Sequence, residues 1–226
     1  MRPTHPKVSV IVAVFNQEKF IGRCLRSLLN QSMNSSDYEI IVVDDGSTDR
    51  TPYALELFHG SITTITNYRN LGLPAALNVG IKQTSSEYII RVDSDDFVNA
   101  NFLNFLATYL DLNTNSHAVA CDYHLVNDSG EWIERVNCFD TPIACGIMFK
   151  AAHLFEIGLY DEKFRYHEDK DLRFRFEQKY TIDRLDIPLY RYRRHSDNIT
   201  NNSSAMSHHQ KKLIDKHGHQ ILDSIV

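Results

Sequence analysis

The chain has 226 residues, of which 42% are hydrophobic and 23% charged, with a formal net charge of −5. That length suits one well-filled domain, the composition excludes a disordered or fibrous chain, and the acidic balance gives no general field for nucleic acid. The longest early apolar stretch, Val8 to Phe15, falls far short of the roughly 20 residues of a membrane-spanning helix, and no signal-peptide pattern precedes it, so a soluble cytoplasmic protein is expected.

Val8 to Val14 reads VSVIVAV, the β-branched run of a central strand covered on both faces of a parallel sheet. Phe20, Ile21, Cys24, Leu25, Leu28 and Leu29 then recur at helical spacing, which predicts an amphipathic helix packed on that sheet. Glu39 to Val43 predicts a second buried strand. After the turn Asp45-Gly46-Ser47, Thr51 is expected to cap a second helix, with Pro52 in its first turn. A short strand at 62–66, a helix around 74–82 and the strand Tyr88 to Val92 continue the alternation.

Phe102, Leu103, Phe105, Leu106, Tyr109 and Leu110 mark a further helix, and Ala118 to Cys121 a short strand. Less regular sequence follows, with strands near Trp132 to Val136 and Ile182 to Tyr192 and a helix from about Glu168 to Gln178 between them. The alternation predicts an α/β fold with a mostly parallel, doubly wound sheet flanked by helices. A polar stretch at 197–207 reads as a mobile loop or hinge, separating a domain over 1–200 from a loop and amphipathic helix over 201–226. Cys24, Cys121, Cys138 and Cys145 form no C-x-x-C pair, so reduced, packed thiols are expected rather than zinc or disulfides.

Open parallel sheets bind ligands outside the carboxyl ends of their strands. Here those ends run into Phe15-Asn16, Asp44-Asp45-Gly46-Ser47 and Asp93-Ser94-Asp95-Asp96. Five carboxylates at one sheet edge repel one another, and a divalent cation is a usual means of holding them. Asp93-Ser94-Asp95 reads as a cation site for a departing diphosphate or as a solvated acidic turn. Asp44-Asp45-Gly46-Ser47 reads as base and ribose recognition or as a tight turn.

His167-Glu168-Asp169-Lys170-Asp171 opens a helix, where acidic residues meet the macrodipole favourably; the alternative role is a general base for an acceptor hydroxyl. Tyr190-Arg191-Tyr192-Arg193-Arg194-His195 is either an exposed charged strand end or a diphosphate clamp with an imidazole metal ligand. His5, His59, His208 and His209 are expected at the surface. The signatures of dinucleotide-binding, P-loop and nucleophile-elbow enzymes are all missing.

Taken together, VSVIVAVFN, VVDDGSTD, NLGLPAALNVGI, YIIRVDSDD and HEDKDL, in that order between Val8 and Leu172, resemble the family 2 glycosyltransferases. The resemblance implies a GT-A fold and an inverting, metal-dependent hexosyl- or N-acetylhexosaminyltransferase. Such an enzyme moves a sugar from a nucleotide diphosphate donor, usually a UDP-sugar, to an acceptor hydroxyl in glycan or polysaccharide synthesis. It implies that Ala13, Phe15 and Asn16 line the nucleotide pocket with Glu18 close by, that Asp45 contacts the base, and that Asp93 approaches the ribose. Asn70, Ser94 and Arg194 belong to the same nucleotide-sugar site. Asp95 and His195 would hold Mn²⁺ or Mg²⁺, Asp169 would be the catalytic base, and Glu168 would assist it.

One departure stands out. Where many members have A-A-R-N, this chain has Ala75-Ala76-Leu77-Asn78, leaving Arg69 or Arg91 as substitutes for the missing arginine. A sugar nucleotidyltransferase would need a Gly-rich, basic loop where Phe15-Asn16-Gln17-Glu18 stands. A non-catalytic sugar-binding protein on the same fold is the alternative from another class. The tail from Gln210 to Ile225 carries apolar residues at helical spacing beside Lys211, Lys212 and Lys216. It is read as a cap on the domain, with a homodimer contact or attachment to an anionic membrane at its inner face as alternatives.

Overall fold

β-Branched and apolar runs become the strands of the first half. The computed structural model describes residues 6–195, 203–218 and 221. β1 (Val8–Val14) and β2 (Tyr38–Asp44) pair in parallel, β3 (Thr63–Thr66) joins β2, and β4 (Tyr88–Arg91) joins β1. Every residue of β2 is buried, as a strand covered on both faces requires. Between them run α1 (Ile21–Leu29), α2 (Thr51–Glu56) and α3 (Leu73–Ile81). Ile21, Cys24, Leu25 and Leu28 form the buried stripe of α1, and each such side chain removed from water contributes about 1.5–3 kcal/mol. Helix α3 crosses β1 and β2 so closely that a Cβ at Gly80 would lie 2.9 Å from Ile11 and 3.2 Å from Val43.

The second half turns the sheet from parallel to mixed. β5 (Phe97–Val98), α4 (Phe102–Leu112), β6 (Ala118–Val126), β7 (Trp132–Val136), β8 (Ile147–Lys150), α5 (Ala151–Glu156), α6 (Glu168–Glu177), β9 (Ile182–Arg193) and α7 (Ser203–His217) follow in order. The strand order is β3-β2-β1-β4-β8-β6-β9-β5, with β7 on β6. β8 is antiparallel to both β4 and β6, while β9 runs parallel to β6.

Three details differ from expectation. Thr51 is the first residue of α2 rather than its cap, and its N–H donates to Asp49 Oδ1 at 2.9 Å. Ser203 to Ser207 of the expected loop are helical, and the rest of that loop lies outside the described residues. His209, expected at the surface, is buried and packs its ring 5.2 Å from Tyr166. His5 and the side chain of His208 lie outside the described residues, and His59 is exposed. Leu213 and Ile221, both fully buried, pack with Phe164, so the apolar face of α7 is used within the fold. All four cysteines are free and buried. Among the described residues no helix is long and apolar enough to cross a membrane.

Candidate active site

The parallel register brings the carboxyl ends of β1, β2 and β4 together, and two loops are knitted there before any ligand is considered. Asn16, at the end of β1, adopts a left-handed backbone with φ of 53° and accepts the Thr48 N–H through Oδ1 at 2.8 Å. Its own N–H donates to Ser47 Oγ at 3.0 Å. Glu18 Oε2 accepts the Arg50 N–H at 2.8 Å. Phe15 and Asn16 are exposed and Ala13 is half-buried, so these strand-end residues line an accessible edge.

Asp45 is 3% exposed. Its two oxygens accept from Asn67 Nδ2 at 2.7 Å, Gly72 N at 2.8 Å and Leu71 N at 3.0 Å. The carboxylate therefore shapes the loop that carries the exposed Asn70. Gly46 makes the close approach feasible: its φ is +76°, and a Cβ there would lie 2.6 Å from the Arg69 carbonyl carbon.

β5 pairs antiparallel with β9, which draws the Asp93-to-Asp96 turn against the end of β9. Asp96, 1% exposed, accepts from Tyr190 Oη at 2.8 Å and from the Arg193 N–H at 2.7 Å. Arg193 Nε donates to the Asp95 carbonyl at 2.7 Å, and its guanidinium lies 4.8 Å from the Phe20 ring centroid. Arg193 thus bolts the turn in place and is not a free clamp for a diphosphate. Arg191 likewise donates to the Pro188 carbonyl at 2.8 Å, while Arg194 is exposed.

Asp95 Oδ2 and His195 Nε2 face each other at 2.9 Å, with side chains 17% and 3% exposed. Burial first, and the charge of Asp93 second, push the Asp95 carboxyl up, with His195 opposing. A carboxylate oxygen and an imidazole nitrogen side by side are ligand types that suit a first-row divalent cation such as Mn²⁺ better than Mg²⁺, which favours oxygen ligands. Asp93, Asp96 and Cys145 also bring ligand atoms within 4.8 Å of one another. Tyr190 and Arg193 already occupy the two oxygens of Asp96, so that cluster fits a cation less well. The five acidic side chains of the edge are thus largely matched by internal donors, and charge repulsion alone does not demand an ion. Ser94 is buried within the turn.

Arg91 is the residue that joins the two halves of the site. From the end of β4 its Nε and Nη2 reach the Asp93 carboxylate at 2.6 and 3.2 Å, and Nη1 reaches Glu168 Oε1 at 3.1 Å. Leu77, standing where an arginine was missed, is 1% exposed and belongs to the core. Of the two substitutes considered, Arg91 is the one buried among the site's carboxylates; Arg69 is exposed and lies 5.2 Å from the Tyr68 ring.

α6 begins at Glu168, entered through His167 in a left-handed conformation with φ of 60°, a strained backbone for a non-glycine residue. Glu168 is buried and turned toward Arg91. Burial, then the adjacent Asp169 charge, raise its carboxyl to about 7 against the pull of Arg91. Asp169 is half-buried and lines a cavity of ≈ 230 Å³ with Ile143, Phe149, Tyr160, Lys170 and Phe174. Of the adjacent pair, Asp169 is the one that opens on space where a second molecule can sit.

Residues 9–141 match the family described as Glycosyl transferase family 2. The chain belongs to that family. An uncharacterized glycosyltransferase of Bacillus subtilis, EpsJ, is 31% identical over 234 residues, covering 92% of this chain and 67% of that protein. The poly(ribitol-phosphate) beta-N-acetylglucosaminyltransferase TarS of Staphylococcus aureus is 37% identical over 110 residues, 46% of this chain and 19% of TarS. An uncharacterized glycosyltransferase of Haemophilus influenzae is 37% identical over 123 residues, 53% of this chain and 37% of its own length. Matches to curated relatives such as these last two thus span well under half of the relative.

Among solved structures, S. aureus TarS in complex with UDP-GlcNAc superposes with a TM-score of 0.77 at 23% identity, covering 97% of this chain and 71% of that one. A mannosyltransferase from Pyrobaculum calidifontis, in complex with GDP-Man and Mn²⁺, gives 0.72 at 18% identity, covering 95% and 66%. The fold of this family 2 member is therefore the GT-A glycosyltransferase fold. Sequence reasoning from motifs missed the Arg91 bridge and the cavity beside Asp169, because both depend on contacts between distant segments.

Proposed function

We propose that this family 2 member is an inverting transferase that moves a hexose or N-acetylhexosamine from a UDP-sugar to an acceptor hydroxyl during cell-surface polysaccharide assembly. The observation that carries the reading is the division of labour at the start of α6: Glu168 is held by Arg91, which also holds Asp93, while Asp169 faces the cavity. Asp169 takes the proton of the acceptor hydroxyl as its oxygen attacks the anomeric carbon from the side opposite the departing diphosphate. Ala13, Phe15 and Asn16 form the nucleotide wall, with Asp45, Glu18 and Asn70 shaping its loops. Asp93 and Ser94 lie toward the ribose, and exposed Arg194 faces the diphosphate. Asp95 and His195 would hold a divalent cation, which supplies charge neutralisation for the leaving group when bound.

UDP as the nucleotide and a polysaccharide acceptor rest on the names of the TarS relatives. Four free, buried thiols suit the reducing cytoplasm. The buried face of α7 supports its role as a cap over a dimer or membrane contact.

The test presents purified protein with UDP-, GDP- and dTDP-sugars, with Mn²⁺ or EDTA, following thermal stabilisation and nucleotide release. One donor should stabilise the fold in the presence of metal. Asp169→Asn should keep that stabilisation and lose about 10²–10⁴-fold in turnover. Turnover by Asp169→Asn within a factor of a few of the wild type would remove Asp169 from the chemistry.

A further inference from the structure

Lys170 breaks a local rule. It sits in the first turn of α6, where free N–H groups and the helix dipole disfavour a cation, and the residues around it, Glu168, Asp169 and Asp171, are the types that position favours. An ordinary surface lysine would turn its ammonium group to water. Lys170 is instead half-buried and lines the same ≈ 230 Å³ cavity as Asp169.

Among the described residues its Nζ has no hydrogen-bond acceptor and no ion pair, and burial lowers its pKa while the charge of Asp169 opposes that shift. Arg173, the other cation at the cavity, is already paired, its Nε donating to Glu177 at 2.8 Å. A departure from local preference with no internal compensation marks a functional position. A desolvated cation on a cavity wall recognises an anion through charge-assisted hydrogen bonds.

The rest of the cavity narrows the ligand. Its volume is below the roughly 300–1,000 Å³ of pockets for drug-sized molecules, so it suits one ring rather than an oligomer. Phe149, Phe174 and Ile143 present apolar surface, and the acidic lining residues are Asp140, Asp169 and Glu177, the last paired with Arg173. We propose that the cavity takes a single acceptor sugar ring bearing an anionic substituent, a phosphate or a carboxylate, which Lys170 holds while Asp169 faces one of the ring hydroxyls. The inference rests on the reading of Asp169 as the base.

Glucose, glucuronate and glucose 6-phosphate share one ring and differ at C6, so they isolate the charge. Each is offered to the full chain with the stabilising donor, and KM is measured; ligand-observed NMR titration gives the dissociation constants independently of turnover. A charge-assisted hydrogen bond of about 1.5–3 kcal/mol corresponds to roughly 10- to 100-fold tighter binding, so the anionic probes should gain at least tenfold over glucose. The order of the two anionic probes separates carboxylate from phosphate. Lys170→Arg should keep the preference; Lys170→Met and Lys170→Gln should bring the three probes level.

Equal binding of all three probes by the wild type, or an unchanged preference in folded Lys170→Met, overturns the proposal. If donor binding and hydrolysis are present while the probes bind equally, this inference alone falls. If no donor binds or reacts while the Lys170-dependent preference persists in titration, the anion site stands and the transferase reading falls.

Discussion

Arg91 shows how much one side chain holds here. Its side chain, 8% exposed, shares its guanidinium between the Asp93 side chain, 24% exposed, and that of Glu168, 8% exposed. Removing one partner of a buried ion pair strands the other charge and costs about 3–5 kcal/mol. The partial exposure of Asp93 puts the expectation for Arg91→Met at the lower end of that range, near 3 kcal/mol, read from urea unfolding. Arg91→Lys should recover only part of it, because an ammonium cannot make the forked contact that spans two carboxylates. Donor KM should rise in both variants as Asp93 loses its orientation. A loss in Arg91→Met below about 1 kcal/mol would mean that water replaces the guanidinium, and the bridge would then carry little. The sequence raised Arg91 as one of two substitutes for an absent arginine, but which one reached the site depended on a contact between residues 77 positions apart. Asp95 and His195, 100 positions apart, were each read as a cation-ligand candidate from their own segments, but only the family resemblance joined them, since no local spacing relates them.

Loops and elements translate these contacts into a shaped edge. The turn after β2 and the loop before α3 touch at Gly46, where both the positive φ and the 2.6 Å approach of Arg69 backbone exclude a side chain. Gly46→Ala must therefore displace backbone that Asp45 holds, at roughly 1–3 kcal/mol of strain, and donor KM should rise with it. Gly60 is the internal control: its φ is +82° but a Cβ there meets nothing within 4 Å, so Gly60→Ala should cost stability with no change in donor KM. Equal effects of the two substitutions on KM would show that the loop contact does not shape the donor edge. The strongly periodic elements β1, α1, β2, α3, β4 and α4 were legible from spacing because burial on one face or both imposes a period. β8 and α5 were not. IMFK is four residues long, too short to carry a period, and its strand state is imposed by antiparallel pairing with β4 and β6. β6 was read short, because its extension beyond Cys121 is imposed by pairing with β7 and β9 rather than by a continuing apolar run. α6 was found at its correct start by its acidic first turn, whereas the direction each carboxylate faces required the packed neighbours.

At the scale of the whole molecule, partly buried histidines make stability depend on pH. His153 stacks on Tyr180 with ring centroids 4.1 Å apart, and among the described residues its buried Nδ1 has no hydrogen-bond partner. His117, Lys150 and Glu156 surround it, and His117 Nδ1 lies 3.1 Å from Thr181 Oγ1. Burial, then the charges of His117 and Lys150, lower the pKa of His153, with Glu156 opposing. Burial and the charges of Arg191 and Arg135 also lower that of His124. A histidine whose folded pKa lies below its unfolded value near 6.5 binds its proton more readily in the unfolded chain. Stability is therefore undiminished above that value and falls as the pH drops through it toward the folded pKa. Between pH 7.5 and 5.5 the two histidines lower the Tm, at about 2–4 °C for each 1 kcal/mol lost in a domain of this size. Glu168, whose folded carboxyl is raised to about 7, acts in the opposite direction, so a histidine variant is needed to isolate their contribution. His153→Phe keeps an aromatic ring against Tyr180 and removes the titration, so its Tm should decline less over the same interval. Parallel declines for the two proteins would assign the acid sensitivity to other groups, first among them His124; the carboxylates of Asp49, Asp161 and Asp171 are not among them. Internal donors hold these below their usual range, so their contribution is lost only at lower pH.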